Sequence, residues 1–211
     1  MRRLLSSVST HSGAKFMIKR VYSELVYQVR FGMPVWAIML LCAWFPDTGP
    51  TARIRGLMLS WFLPGRPKKL SVGRDVTLLA ANRIWIGRNV YFAKGCWLNG
   101  VGGIVVDDEV VLAPYVVMSS NNHGFKDGSV QRGGAHPAPI RVGFGTWVAA
   151  HSVIVAGVAV ERGCVIAANS VVTKNTDADS VYAGVPAKFV KFRHDNPSTI
   201  KSKHDVTSMR Q

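Results

Sequence analysis

Cysteine is scarce in this chain: only Cys42, Cys96 and Cys164 occur in 211 residues, far apart and with no CxxC pair. That excludes a disulfide scaffold and the usual zinc modules, and it fits a reducing compartment. No uninterrupted apolar run approaches the roughly 18–20 residues of a membrane span, which excludes a polytopic membrane protein. Acidic side chains are few, 12 against 26 lysines and arginines, so the formal net charge is +14. Charged residues make up only 18% of the chain and apolar ones 48%, which argues against disorder and for one cored domain.

The excess of positive charge is unevenly placed. Residues 1–70 hold 11 basic and 2 acidic side chains, residues 71–180 hold 9 and 8, and residues 181–211 hold 6 and 2. A protein that reads nucleic acid with its folded body would carry the charge there, so the nearly neutral middle argues against that class. Residues 1–32 read as a basic arm, with no acid in the first 23 and with Arg2, Arg3, Lys15, Lys19 and Arg20. An organellar transit segment is the alternative, whereas a signal peptide would need an apolar stretch soon after Arg3.

Residues 33–69 contain two apolar stretches, MPVWAIMLLCAWF and GLMLSWFLPG, with Arg53, Arg55, Arg66, Lys68 and Lys69 beside the second. Pro34 suits the first turn of a helix and Pro46 its stop. Thirteen helical residues rise only about 20 Å, short of a ~30 Å hydrocarbon core. Two readings stay open here: an interfacial segment facing an anionic membrane, or a helical cap over the domain that follows. Residues 194–211 are polar, lack periodicity and read as a tail.

The middle of the chain is a repeat. Val142, Val148, Ile154, Val160, Ile166 and Val172 fall at consecutive sixth positions, all β-branched. Four residues beyond each stand Thr146, Ser152, Val158, Cys164, Ser170 and Thr176, all small or β-branched. An earlier run holds Ile86, Phe92 and Leu98, then slips by two to Val106, Leu112 and Met118. A sandwich strand would alternate with period two and a helix would repeat every 3.6 residues; a six-residue period is that of a solenoid with flat walls. Each wall turns one large side chain inward and sets a small one at the corner. Three walls per coil give about five coils over residues 70–180, interrupted by a loop at residues 119–139.

The segments IWIGRNVYFAKGCW, VVDDEVVLAPYVVM, IRVGFGTWVAAHSVIVAGVAV and CVIAANSVVTKN resemble the hexapeptide-repeat acyltransferases, and VYAGVPAKFVKF (within residues 181–193) resembles their closing segment. Within that family the resemblance is to sugar and polysaccharide O-acetyltransferases of the colanic-acid and maltose or galactoside type. It implies an all-β fold, a left-handed parallel β-helix, with acetyl-CoA as acyl donor and no metal. It also implies a homotrimer with active sites between subunits.

The loop SSNNHGFKDGSVQRGGAHPAP resembles the family's loop bearing the catalytic histidine, which puts His123 in that role. Histidine suits it, because its unperturbed pKa near 6.5 lets the neutral ring accept a hydroxyl proton at neutral pH. The resemblance implies cofactor contacts at Trp147, Ala150 and Ala168, at the pair Thr173 and Lys174, and at Lys188 and Lys191 near the CoA phosphates. Lysine supplies charge there without the bidentate fork of arginine. Asn99 and Asn121 are candidate contacts to sugar hydroxyls, though Asn99 could equally cap a turn before Gly100. His136 is expected on the loop surface and His151 on the coil surface; the successive spacings of His123, His136 and His151 do not match a zinc carbonic anhydrase of similar fold.

The expectation is therefore a cytoplasmic O-acetyltransferase acting on a sugar or polysaccharide precursor, with peripheral contact at the inner membrane face as an open question. An N-acetyltransferase acting on an amino sugar or antibiotic, and a non-catalytic β-helix scaffold at a membrane, are the alternatives.

Overall fold

The computed structural model describes residues 17–193; the expected basic start, residues 1–16, and the expected polar tail, residues 194–211, lie outside the described residues. Residues 71–183 wind into a left-handed parallel β-helix with a triangular cross-section. The first wall stacks Ser71–Val72, Tyr91–Phe92, Val111–Leu112, Trp147–Val148, Val165–Ile166 and Ser180–Ala183. The second stacks Thr77–Leu79, Trp97–Asn99, Val117–Ser119, Val153–Val155 and Val171–Val172. The third stacks Ile84–Ile86, Ile104–Val106, Ile140–Val142 and Ala159–Val160. The count is thus five coils plus a sixth rung on the first wall, one rung beyond the five read from the sequence.

The six-residue frame is the interior. Val142, Val148, Ile154, Val160, Ile166 and Val172 are all 0–1% exposed. They stack in register, as in Phe92 on Leu112 on Val148 on Ile166. The small residues four positions later fill the corners and bond the next coil. Thr146 Oγ1 donates to the Glu161 carbonyl at 2.9 Å, and Ser152 Oγ to that of Ala167 at 2.8 Å. The two-residue slip lies in Asn99–Gly103, where the early coils turn from second to third wall with two extra residues. Their period is twenty, as from Phe92 to Leu112, against eighteen from Val148 to Ile166.

The N-terminal segment is one helix, α1, from Met17 to Trp44. This differs from the sequence reading in two ways. The helix does not begin near Pro34, and its 28 residues make it long and apolar enough to cross a membrane, although the apolar run inside it is not. Pro34 is tolerated in mid-helix because the preceding turn, Gln28–Gly32, widens to a π-helix, which relieves the clash with the earlier carbonyls. The stop at Pro46 is as expected: Phe45 is already extended. A second helix, α2 (Gly49–Ser60), starts where the Thr48 amide donates to Thr51 Oγ1 at 3.0 Å.

These helices close the first coil. Val35, Ile38 and Cys42 of α1 and Leu59 of α2 join the same buried cluster as Val72, Leu78 and Ile84. The helical-cap reading therefore describes the inner faces. The outer faces do not pack: Trp36, Leu41 and Trp44 are 63%, 65% and 90% exposed. At the other end Lys188–Phe192 folds back antiparallel on Ser180–Ala183, and Tyr182, Phe189 and Phe192 pack edge to face over it.

All three cysteines are free and buried. Burial pushes the Cys96 thiol up to about 11, against hydrogen bonds from the Val116, Ala93 and Tyr115 backbone. A raised thiol favours the folded state only while it stays protonated. Stability is thus retained below the ordinary thiol range and falls as pH rises from about 8.5 toward 11. The expected result with iodoacetamide at pH 8 is no labelling of the folded protein and three adducts in urea, read by mass spectrometry.

Candidate active site

The solenoid is interrupted at one corner only among the described residues, between Ser119 on the second wall and Ile140 on the third. There the chain leaves as a two-stranded antiparallel ribbon, Asn121–His123 against Ala135–Pro137, tipped by a short helix, α3 (Val130–Gly133). Ser120, at the base, is fully buried and ties the corner. Its Oγ donates to the Asn99 carbonyl at 2.6 Å and accepts from the Gly102 amide at 2.8 Å. In the sequence this serine is only part of the loop at residues 119–139; its role needs the coil register to be seen.

His123 ends the first ribbon strand, solvent-exposed and opposite Ala135. His136 pairs with Asn122 instead, and its Nε2 packs against Gly124, so strand alternation sends it to the opposite ribbon face from His123. His151 is further away, at a coil corner in the left-handed region, stacked on Tyr115 with ring centres 5.0 Å apart. Among the described residues no group of three histidines, cysteines or carboxylates could hold a metal ion.

Asn121 shares the His123 side of the ribbon, and its Oδ1 is buried with no hydrogen-bond partner. An orphaned buried acceptor is costly and rare, and here it lies two residues from the exposed imidazole. Asn99 is in register with Ser119 at the ribbon base. Its Oδ1 accepts from the Val101 amide at 3.2 Å, so the turn-capping reading holds for that oxygen, leaving the amide nitrogen unengaged by any described residue.

The expected cofactor residues form two groups. Trp147 lies half-exposed on the outer first wall, in register through Val165 and Val181 to Lys191. At strand spacings of ~4.8 Å the indole and Lys191 are roughly 14 Å apart along that wall. Ala150 and Ala168 occupy equivalent turns of successive coils at the corner between first and second walls. Lys188 is on the same closing strand as Lys191, paired with Ala183. Thr173 and Lys174 follow Val172 at the other corner, the one from which the ribbon leaves. One wall, roughly 10 Å of strand, separates the two corners. A single chain therefore brings His123, Asn99, Asn121 and the Thr173–Lys174 pair to one corner, and Trp147, Ala150 and Ala168 to another. Cavities of about 780, 600, 420 and 240 Å³ are lined by none of these ten residues.

The ribbon's geometry rests on one close approach. A side chain at Gly133 would run into the Gly124 carbonyl, so the two backbones cross where only glycine fits. Gly133→Ala should displace His123 while leaving the solenoid alone. The expected result is turnover about tenfold lower with an almost unchanged melting temperature.

The sequence and the fold were compared with known proteins. No family model matches the chain. The galactoside O-acetyltransferase of Escherichia coli is 32% identical over 114 residues, 54% of this chain and 56% of that enzyme, so the match spans little more than half of the relative's length. Among solved structures, a maltose O-acetyltransferase from Clostridium difficile superposes with a TM-score of 0.70 at 23% identity, over 82% of this chain and 90% of that one. A hexapeptide-repeat acetyltransferase of Vibrio cholerae, complexed with acetyl coenzyme A, gives 0.68 at 20% identity over 77% and 87%. At those identities the structures speak to the fold, and they share the β-helix. In sequence this chain is similar to a galactoside O-acetyltransferase, and in fold to the hexapeptide-repeat acetyltransferases.

Proposed function

We propose that the protein transfers an acetyl group from acetyl-CoA to a hydroxyl of a sugar or polysaccharide precursor. The observation that carries this reading is the interrupted solenoid: a ribbon holds His123 exposed on the same side as Asn121, whose buried side-chain oxygen has no partner, in a chain with a galactoside O-acetyltransferase among its sequence relatives.

His123 takes the hydroxyl proton as the oxygen attacks the thioester carbonyl. The tetrahedral oxyanion collapses to the ester, and the CoA thiolate leaves and takes up that proton. Asn121, and Asn99 through its free amide nitrogen, hold neighbouring hydroxyls of the acceptor. A base and its acceptor contacts at one corner, with small residues and a tryptophan at the other, suit a site closed by a second copy. In a homotrimer the ribbon corner of one subunit faces the Ala150–Ala168 corner of the next, with Thr173, Lys174, Lys188 and Lys191 toward the CoA phosphates. Lysines serve there as point charges. The exposed outer faces of α1 and α2, flanked by cations, support peripheral contact with the anionic inner face of a cell membrane.

The test follows CoA thiol release with a chromogenic disulfide, which the buried cysteines of the protein do not disturb. Acetyl-CoA is supplied with a panel of hydroxyl and amino sugars, and products are identified by mass. Ester formation on a hydroxyl sugar is expected; amide formation on amino sugars alone would reassign the acceptor, and no transfer to any of them would reject the reading.

A further inference from the structure

A cavity of about 780 Å³ lies away from the ribbon, between the outer face of α2 and the strap of residues 66–71. Four cations line it, Arg53, Arg66, Lys68 and Lys69, and no carboxylate does. Among the described residues none of the four is in an ion pair; the pairs that form engage other arginines and lysines. The rest of the lining is partly apolar. Arg53, Leu57 and Trp61 follow one another at four-residue spacing along one helix face, with Leu57 and Trp61 each 63% exposed. The Arg66 guanidinium stands over the Trp61 ring at 5.1 Å.

Four unpaired cations gathered around one cleft repel one another unless an anion joins them. Arginine and lysine together are what a phosphate group needs, a fork and point charges. An indole and a leucine at the same rim are what a lipid headgroup region adds. We propose that this cleft binds the phosphate of an anionic membrane lipid. A free phosphate would meet the same cations, but the lipid accounts for the apolar rim as well. It also accounts for the neighbouring α1, which packs on the same core as α2 and leaves Leu41 and Trp44 outside. The inference deepens the membrane-facing reading of the N-terminal helices and is independent of acetyl transfer.

The test is co-sedimentation of the full chain with vesicles of phosphatidylcholine, alone or mixed with phosphatidylglycerol. Two triple variants are compared: Arg66→Gln/Lys68→Gln/Lys69→Gln in the cleft, and Arg83→Gln/Lys94→Gln/Arg162→Gln on the solenoid. The wild type should bind only the anionic vesicles, and more weakly as salt rises. The cleft variant should lose about a hundredfold in affinity, near fivefold for each basic residue at an anionic surface, while the solenoid variant stays within about fivefold. Matching melting curves establish that both variants fold. Equal losses in the two variants would replace the site with diffuse charge. A cleft variant that binds like the wild type would assign membrane contact to α1 alone and overturn the site. Displacement from vesicles by inorganic pyrophosphate at low millimolar concentration would assign the cleft to a soluble phosphate. Absence of wild-type binding would overturn the membrane reading along with the site.

Discussion

His123→Ala should lower turnover on the acceptor by about 10²- to 10⁴-fold, the range a positioned general base contributes, while acetyl-CoA binding by calorimetry stays within about twofold. The side chain is exposed and makes no hydrogen bond or ion pair with any described residue, so its removal should leave the melting temperature unchanged. That separation makes the measurement decisive: a fall in rate with intact folding and cofactor binding has no structural explanation. Added imidazole should restore part of the lost rate, because it can enter the space the truncated side chain leaves at an open site. His136→Ala, on the opposite face of the same ribbon, should cost much less, since that ring packs on Gly124 instead of facing Asn121. Unchanged turnover in His123→Ala, or an equal loss in His136→Ala, would remove His123 from the role of base.

Much of the fold was legible because the physics of a solenoid is local. Each inward position must be bulky and each corner small, so the frame from Val142 to Val172 shows the wall and coil spacing directly. The interruption at residues 119–139 was visible for the same reason, as a departure from that frame, whereas the closing segment was read from the family resemblance of VYAGVPAKFVKF. Three features were hidden by their dependence on distant partners. The extent of α1 was obscured because Pro34 reads as a helix start, and only the wide turn at Gln28–Gly32 lets the helix run through it. The division of the expected cofactor residues between two corners depends on counting coils in three dimensions: Thr173 and Ala168 are five residues apart yet face different edges. The third is Arg55, which in sequence is one more cation beside an apolar stretch.

Arg55→Ala should destabilise the N-terminal cap by about 3–5 kcal/mol, because it strands buried acceptors at about 1–3 kcal/mol each and leaves a cavity. The side chain is 1% exposed and meets Asp47 Oδ1 at 2.8 Å. It also donates to the carbonyls of Phe45 at 3.1 Å, Pro46 at 3.3 Å, Val72 at 3.3 Å and Cys42 at 3.5 Å. One guanidinium thus joins α2, the turn leaving α1 and the first rung of the β-helix, and Asp47 adds a bond from the Arg74 amide at 3.2 Å. Alanine would leave several carbonyls without a donor and a cavity beneath the cap. Arg55→Lys keeps the charge but not the five-donor fork, so it should retain only part of the stability. Asp47→Asn should cost less than Arg55→Ala, because the amide oxygen can still accept from the guanidinium, although the 1%-exposed Arg55 then lacks its counter-charge. The loss should also be local, since coils of a solenoid contact only their neighbours. Hydrogen exchange should therefore quicken across residues 33–63 in Arg55→Ala while residues 140–172 keep their protection. Uniform quickening along the chain would instead make the cap and the solenoid one cooperative unit, with Arg55 as a bond of the whole fold.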